Sequence, residues 1–111
     1  MINWQDLQSE TQLDSIREKS FDKPQLIFKH SISCGISAYI QDRLDSATTS
    51  LGEQFDLHYL DLITYRPVSN KIASDFGVPH QSPQVILIKD GQAIHNASHH
   101  SIVPERILAA V

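Results

Sequence analysis

Pro24-Gln25-Leu26-Ile27-Phe28-Lys29-His30-Ser31-Ile32-Ser33-Cys34-Gly35-Ile36-Ser37 is the stretch that decides how this chain folds. Its opening, Pro24 to Phe28, is a short apolar run that reads as a buried strand. Beyond Cys34 the period changes: Ile36, Ile40, Leu44 and Ala47 recur at helical spacing, and Gly52 is placed to end that helix. A strand, a short loop and a helix therefore meet at one cysteine, the only one in the chain.

Working outward, Ser9-Glu10-Thr11-Gln12 reads as a capping box, with Leu13 and Ile16 on one face of a helix over 10–20. Asn3 is expected to cap a separate short turn holding Trp4 and Leu7. Downstream, the 55–61 segment alternates as a strand does. Pro67 sits where a first-turn proline belongs, Val68, Ile72 and Phe76 form a stripe behind it, and Gly77 closes that helix. Val85-Ile86-Leu87-Ile88 is a continuous apolar strand, Asp90-Gly91 is a hairpin signal, 92–98 is the returning strand, and a last helix fits 103–110.

Two strands separated by a helix run parallel with a right-handed crossover, and the closing hairpin adds an antiparallel pair. This order of elements resembles the thioredoxin-like three-layer α/β/α sandwich with a four-stranded mixed sheet. By analogy with that fold, the spatial order is 55–61, 24–28, 85–89, 92–98.

The 111 residues fit one domain, 1–111, with 41% apolar and 20% charged side chains. A net charge of −4, with no basic cluster, argues against a nucleic-acid partner and against a polybasic membrane anchor. The first residues carry no leader pattern, and no apolar run nears the ~20 residues that span a bilayer. One cysteine makes no internal disulfide, so a reducing cytoplasm is the expected location. His99 and His100 are adjacent and no Cys-x-x-Cys or His-x-x-x-His spacing occurs, so no metal site is expected.

Three residues after Cys34, where a dithiol motif carries its second sulfur, stands Ser37. A free thiol titrates near 8.5, and lowering that by two units takes about 2.7 kcal/mol. A helix N-terminus supplies roughly 0.3–2 kcal/mol. A hydrogen bond from the Ser37 hydroxyl to the thiolate adds roughly 1.5–3 kcal/mol. Together they suffice to activate Cys34. An alcohol does not resolve a disulfide, so a captured partner stays on Cys34 until a thiol arrives from elsewhere.

Lys29-His30-Ser31 ahead of the loop, Cys34 with Ser37, Tyr65-Arg66-Pro67-Val68-Ser69-Asn70, His80-Gln81-Ser82-Pro83-Gln84-Val85 and Ser98-His99 together resemble the monothiol bacilliredoxins over roughly 4–111. The resemblance implies an oxidoreductase whose nucleophile, Cys34, lifts bacillithiol or a similar low-molecular-weight thiol from mixed disulfides on client proteins. Bacillithiol is then a co-substrate, and no bound cofactor is implied. The fold analogy implies a cis peptide at Ser82-Pro83, offering backbone groups to the substrate. Gly35 and Ser33, flanking Cys34, are counted with the substrate-binding residues. The family more often has proline after the cysteine, where this chain has Gly35.

Four further residues carry two readings each. Arg66 either holds a carboxylate of the small thiol or is a surface charge. His30 and His80 either polarise the sulfur or tie down loops by hydrogen bonds. Gln84 either donates to bound thiol or pairs with the neighbouring strand.

Two other functions stay open at this point. Cys34-Gly35-Ile36-Ser37 is near the C-G-F-S signature of cluster-carrying glutaredoxins, although the Gly-Gly pair that grips glutathione has no counterpart in 91–100. A thioredoxin-like binding module with an inert cysteine is the third reading.

Overall fold

The computed structural model describes residues 3–32 and 35–111. Cys34 and Ser33, and with them the expectations that rest on their geometry, lie outside the described residues. Among those described, the sheet has five strands in the order β1(Gln5–Asp6), β3(Asp56–Asp61), β2(Gln25–His30), β4(Gln84–Lys89), β5(Gln92–Ser98). The first three run parallel, while β4 is antiparallel to both β2 and β5.

The expected order of four strands is therefore present, and the expected total is corrected by β1. Asn3 does not cap a turn here. Gln5 and Asp6 pair with His58 and Tyr59, and the Leu7 amide donates to the Tyr59 carbonyl at 2.8 Å. In extended chain, residues three apart point to opposite faces. Trp4 thus enters one core and Leu7 the other, which a tight turn would not allow.

Helices cover both faces of the sheet. On one side Leu13 and Ile16 of α1(Glu10–Lys19) and Val68 and Ile72 of α4(Arg66–Phe76) pack on Ile27, Leu60, Ile86 and Ile88. On the other, Ile40 and Leu44 of α2(Gly35–Ser46), Leu51 of α3(Thr48–Gln54) and Ile107 of α5(Pro104–Ala109) pack on Leu26, Phe28, Val85 and Leu87. A 3-10 turn at His99–Ser101 joins β5 to α5.

Local signals explain most boundaries. Ser9 Oγ accepts from the Gln12 amide at 3.1 Å and starts α1, while Gln12 Oε1 accepts from the Gln8 amide at 2.7 Å. Pro67 occupies the first turn of α4, and Gly77 ends it at φ 65. Asp90 and Gly91, at φ 53 and 76, form the hairpin turn.

Gly52 does not end the helix after Cys34. The break falls at Ala47, after which α3 runs on through Gly52. Thr48 Oγ1 donates to the Leu44 carbonyl and accepts from Trp4 Nε1, each at 3.2 Å, and fixes that break. The second strand extends past Phe28 to His30, because Lys29 and His30 keep full pairing with Leu60 and Asp61.

Candidate functional site

Parallel β2 and β3 end on the same edge of the molecule, and the loop from β2 into α2 starts there. Strand residues alternate in direction. Lys29 therefore faces α4, and His30 faces the α2 side, where its ring lies 5.6 Å from Phe28 and 5.4 Å from Tyr59. The Leu62 amide donates to the His30 carbonyl at 3.0 Å and joins the loops that follow the two strands.

Ser37 is fully buried in the first turn of α2, and its Oγ accepts from the Ser31 amide at 3.5 Å. That contact ties the residue after β2 to the first turn of α2, on either side of Cys34 in sequence. Gly35 is the first residue of α2 and is exposed, and a Cβ built on it would meet nothing within 4 Å. Ile32, two residues before the cysteine in sequence, is 77% exposed, a large apolar side chain displayed to solvent.

His30 is buried, and its Nδ1 has no hydrogen-bond partner among the described residues. Burial pushes its pKa below the ordinary histidine value, against a smaller opposing pull from Asp61. The ring is thus neutral at pH 7, with aromatic neighbours and an unengaged nitrogen.

The segment before β4 forms the other wall. The Ser82–Pro83 peptide is cis, Pro83 is buried, and its carbonyl accepts from the His99 amide at 3.0 Å. Ser82 Oγ is buried without a partner among the described residues. Gln84 pairs with the neighbouring strands, as one of its two readings has it, in register with Lys29 of β2 and Ser98 of β5, and its side chain is engaged as well. Its Oε1 accepts from the Gln81 amide at 3.3 Å and its Nε2 donates to the Pro79 carbonyl at 3.0 Å. Both ends of that amide are engaged inside the 79–84 segment, so Gln84 braces the loop that carries Pro83.

His80 also belongs to this loop. It is exposed, yet its Nδ1 lies 3.3 Å from Ser69 Oγ and 3.4 Å from Lys29 Nζ. Arg66, the first residue of α4, is exposed and makes no ion pair with a carboxylate among the described residues. Its charge lowers the pKa values of both Lys29 and His80, which places it beside them.

The structure thus gathers His30, Ser37, Arg66, His80, Ser82, Pro83 and Gln84 around the ends of β2 and β4 and the N-termini of α2 and α4. The residue that sequence reasoning missed is Lys29, fully buried on the α4 side of the sheet. Its signal was present: a lysine continues the apolar run of the second strand, and a buried strand rarely carries one without a role.

Residues 5–107 match the sequence family described as Monothiol bacilliredoxin BrxC. Among solved structures, a thioredoxin-fold protein proposed to be an oxidoreductase superposes with a TM-score of 0.85 at 28% identity, covering 97% of this chain and 93% of that one. A thioredoxin of Malassezia sympodialis gives 0.75 at 18% identity, over 96% of this chain and 86% of that one. A thioredoxin of Fasciola hepatica gives 0.77 at 15%, over 96% and 99%. The fold is thioredoxin-like, and the function class is thiol redox chemistry.

Proposed function

Because this chain belongs to the monothiol bacilliredoxin family, we propose that it is a thiol–disulfide oxidoreductase that uses Cys34 alone to take bacillithiol, or a similar low-molecular-weight thiol, from mixed disulfides on client proteins. The observation that carries the reading is a single cysteine immediately before the first residue of α2, with Ser37 one turn inside.

The reaction is one exchange. The Cys34 thiolate attacks the small-thiol sulfur of the client's mixed disulfide. A Cys34–small-thiol disulfide forms, the client S–S bond breaks, and the client sulfur departs as a thiolate. One disulfide replaces another, so no outside oxidant or reductant is consumed. Ser37 offers no sulfur to displace the captured thiol, which leaves only when a second thiol attacks.

The amides at the start of α2 favour the anion on Cys34. Ser37 Oγ accepts from Ser31, and we assign its own O–H to the sulfur. Gly35, Ser33 and the Ser82–Pro83 segment are assigned to the substrate backbone, His30 to the sulfur's aromatic side, and Arg66 to a carboxylate of the small thiol. The single cysteine supports a reducing, cytoplasmic setting with thiolated proteins as partners, and the acidic net charge speaks against nucleic acid and membrane.

Intact mass after parallel challenge with the disulfides of bacillithiol, glutathione and coenzyme A tests this. The expected product is one small-thiol adduct on Cys34, formed fastest with bacillithiol and absent from Cys34→Ser. A protein that takes no adduct from any of the three would overturn the proposal.

A further inference from the structure

Lys29 has no task in the exchange just described, yet its position is costly. The side chain is fully buried near the end of β2. Its Nζ donates to the Ser69 carbonyl at 3.3 Å and lies 3.4 Å from His80 Nδ1. Arg66 and Ser69 face it from α4, and His80 from the loop before β4; its strand neighbours Leu60 and Gln84 are uncharged. No carboxylate among the described residues pairs with it. A buried ammonium without a counter-ion destabilises a fold, so its presence asks for a function.

His80 connects this buried group to the surface. Lysine ammonium only donates, so Nδ1 accepts, and the proton of the neutral ring sits on Nε2. Nε2 has no protein partner among the described residues. Burial, then Lys29, then Arg66 hold the His80 pKa below the ordinary value, which keeps the ring neutral at pH 7. Lys29 pairs across the sheet with Gln84, next to Pro83, and precedes Cys34 by five residues.

We propose that Lys29 and His80 form a proton relay that protonates the client thiolate expelled when Cys34 is thiolated. The inference rests on the exchange proposed above and supplies the proton which that exchange leaves undelivered. His80 Nε2–H gives its proton to the departing sulfur, and Lys29 passes one to Nδ1 and becomes a neutral amine. The products are a client thiol, a neutral imidazole carrying its proton on Nδ1, and a neutral lysine. Solvent then reprotonates the pair through Nε2. Burial, followed by the Arg66 charge, lowers the Lys29 pKa to about 8. That is close to the ~8.5 of an ordinary thiol, so the transfer is nearly balanced. Lys29 does not touch the substrate; it acts through His80.

The test is single-turnover release of a client protein from its bacillithiol mixed disulfide, followed from pH 6 to pH 10. The wild-type rate should fall as Lys29 deprotonates above about pH 8. In Lys29→Met and in His80→Gln the rate at pH 7 should drop about a hundredfold, the low end of what a positioned general acid contributes, and the alkaline fall should vanish. Lys29→Arg keeps the charge but holds its proton across this range, and should be as slow as Lys29→Met. Wild-type speed in Lys29→Arg would show that charge alone suffices and would overturn the relay. So would an unchanged rate and pH profile in Lys29→Met, or, if that variant does not fold, in the exposed His80→Gln. A wild-type protein that takes no adduct on Cys34 would instead remove the exchange itself, and the relay with it.

Discussion

Ser37 Oγ accepts the Ser31 backbone amide, a contact between the first turn of α2 and the residue that follows β2. The serine standing where a dithiol protein has its second cysteine is therefore also a clasp for the loop. Replacing Ser37 with alanine removes this buried hydrogen bond, which costs about 0.5–1.5 kcal/mol. Chemical denaturation should show that loss together with slower alkylation of Cys34.

Ser37→Cys separates capture from release. With a second thiol one turn into the helix, the adduct on Cys34 should be expelled as an internal disulfide. Intact mass after the bacillithiol disulfide challenge should then show the oxidised, unadducted chain where wild type shows the adduct. A persistent adduct in this variant would mean that the two side chains do not reach each other.

Gly35→Pro should be tolerated and stabilising. The position opens α2, where proline suits the helix geometry, and the space around it is open. Restricting the unfolded chain is worth about 0.4–1 kcal/mol, read as a higher denaturation midpoint.

Stability should fall with acid through His58. This buried ring donates Nε2–H to Gln25 Oε1 at 2.8 Å, and Gln25 Nε2 donates to Asp56 at 2.7 Å. Burial, partly opposed by Asp56, lowers the His58 pKa from 6.5 to about 4. The unfolded chain gains the proton first, so the stabilisation is complete above pH 6.5 and disappears as pH falls to about 4. At 1.36 kcal/mol per unit it amounts to about 3 kcal/mol. Denaturation of wild type and His58→Gln at pH 7.5 and pH 4.5 checks this: the variant should lose less stability between the two.

Gly91→Ala should destabilise without touching the chemistry. Its φ of +76 disfavours a side chain, and a Cβ there would come within 2.9 Å of the Phe21 ring. The turn is also docked, the Gly91 amide donating to Ser20 Oγ at 2.9 Å. A cost of about 1–2 kcal/mol with unchanged Cys34 thiolation is expected.

The parts of the fold legible in the sequence were those fixed by local chemistry: the Ser9 cap, Pro67 and Gly77 bounding α4, and the Asp90-Gly91 turn. The two-residue β1 was illegible because its pairing with His58 and Tyr59 is wholly tertiary. The break at Ala47 depends on Trp4 reaching Thr48 across the fold, and no local pattern marks it. In the site, His30, Ser37, Arg66 and the Ser82–Pro83 segment could be named by spacing from Cys34 and by family likeness. Gln84 was legible as a residue paired with its neighbouring strands, but the brace its side chain makes to the Pro79 carbonyl and the Gln81 amide was not, because no local pattern marks it. Lys29 was passed over although a lysine within an apolar strand run marked it; only its partners, the Ser69 carbonyl and His80, required the tertiary fold.

Trp4 is the chain's sole indole, and it is buried 6.3 Å from Phe28 with its Nε1 donating to Thr48. The molecule therefore carries its own fluorophore at the seam between the leading strand and the α2–α3 junction. Emission from that ring reports whether the edge of the sheet stays docked during thiol exchange, with no label attached.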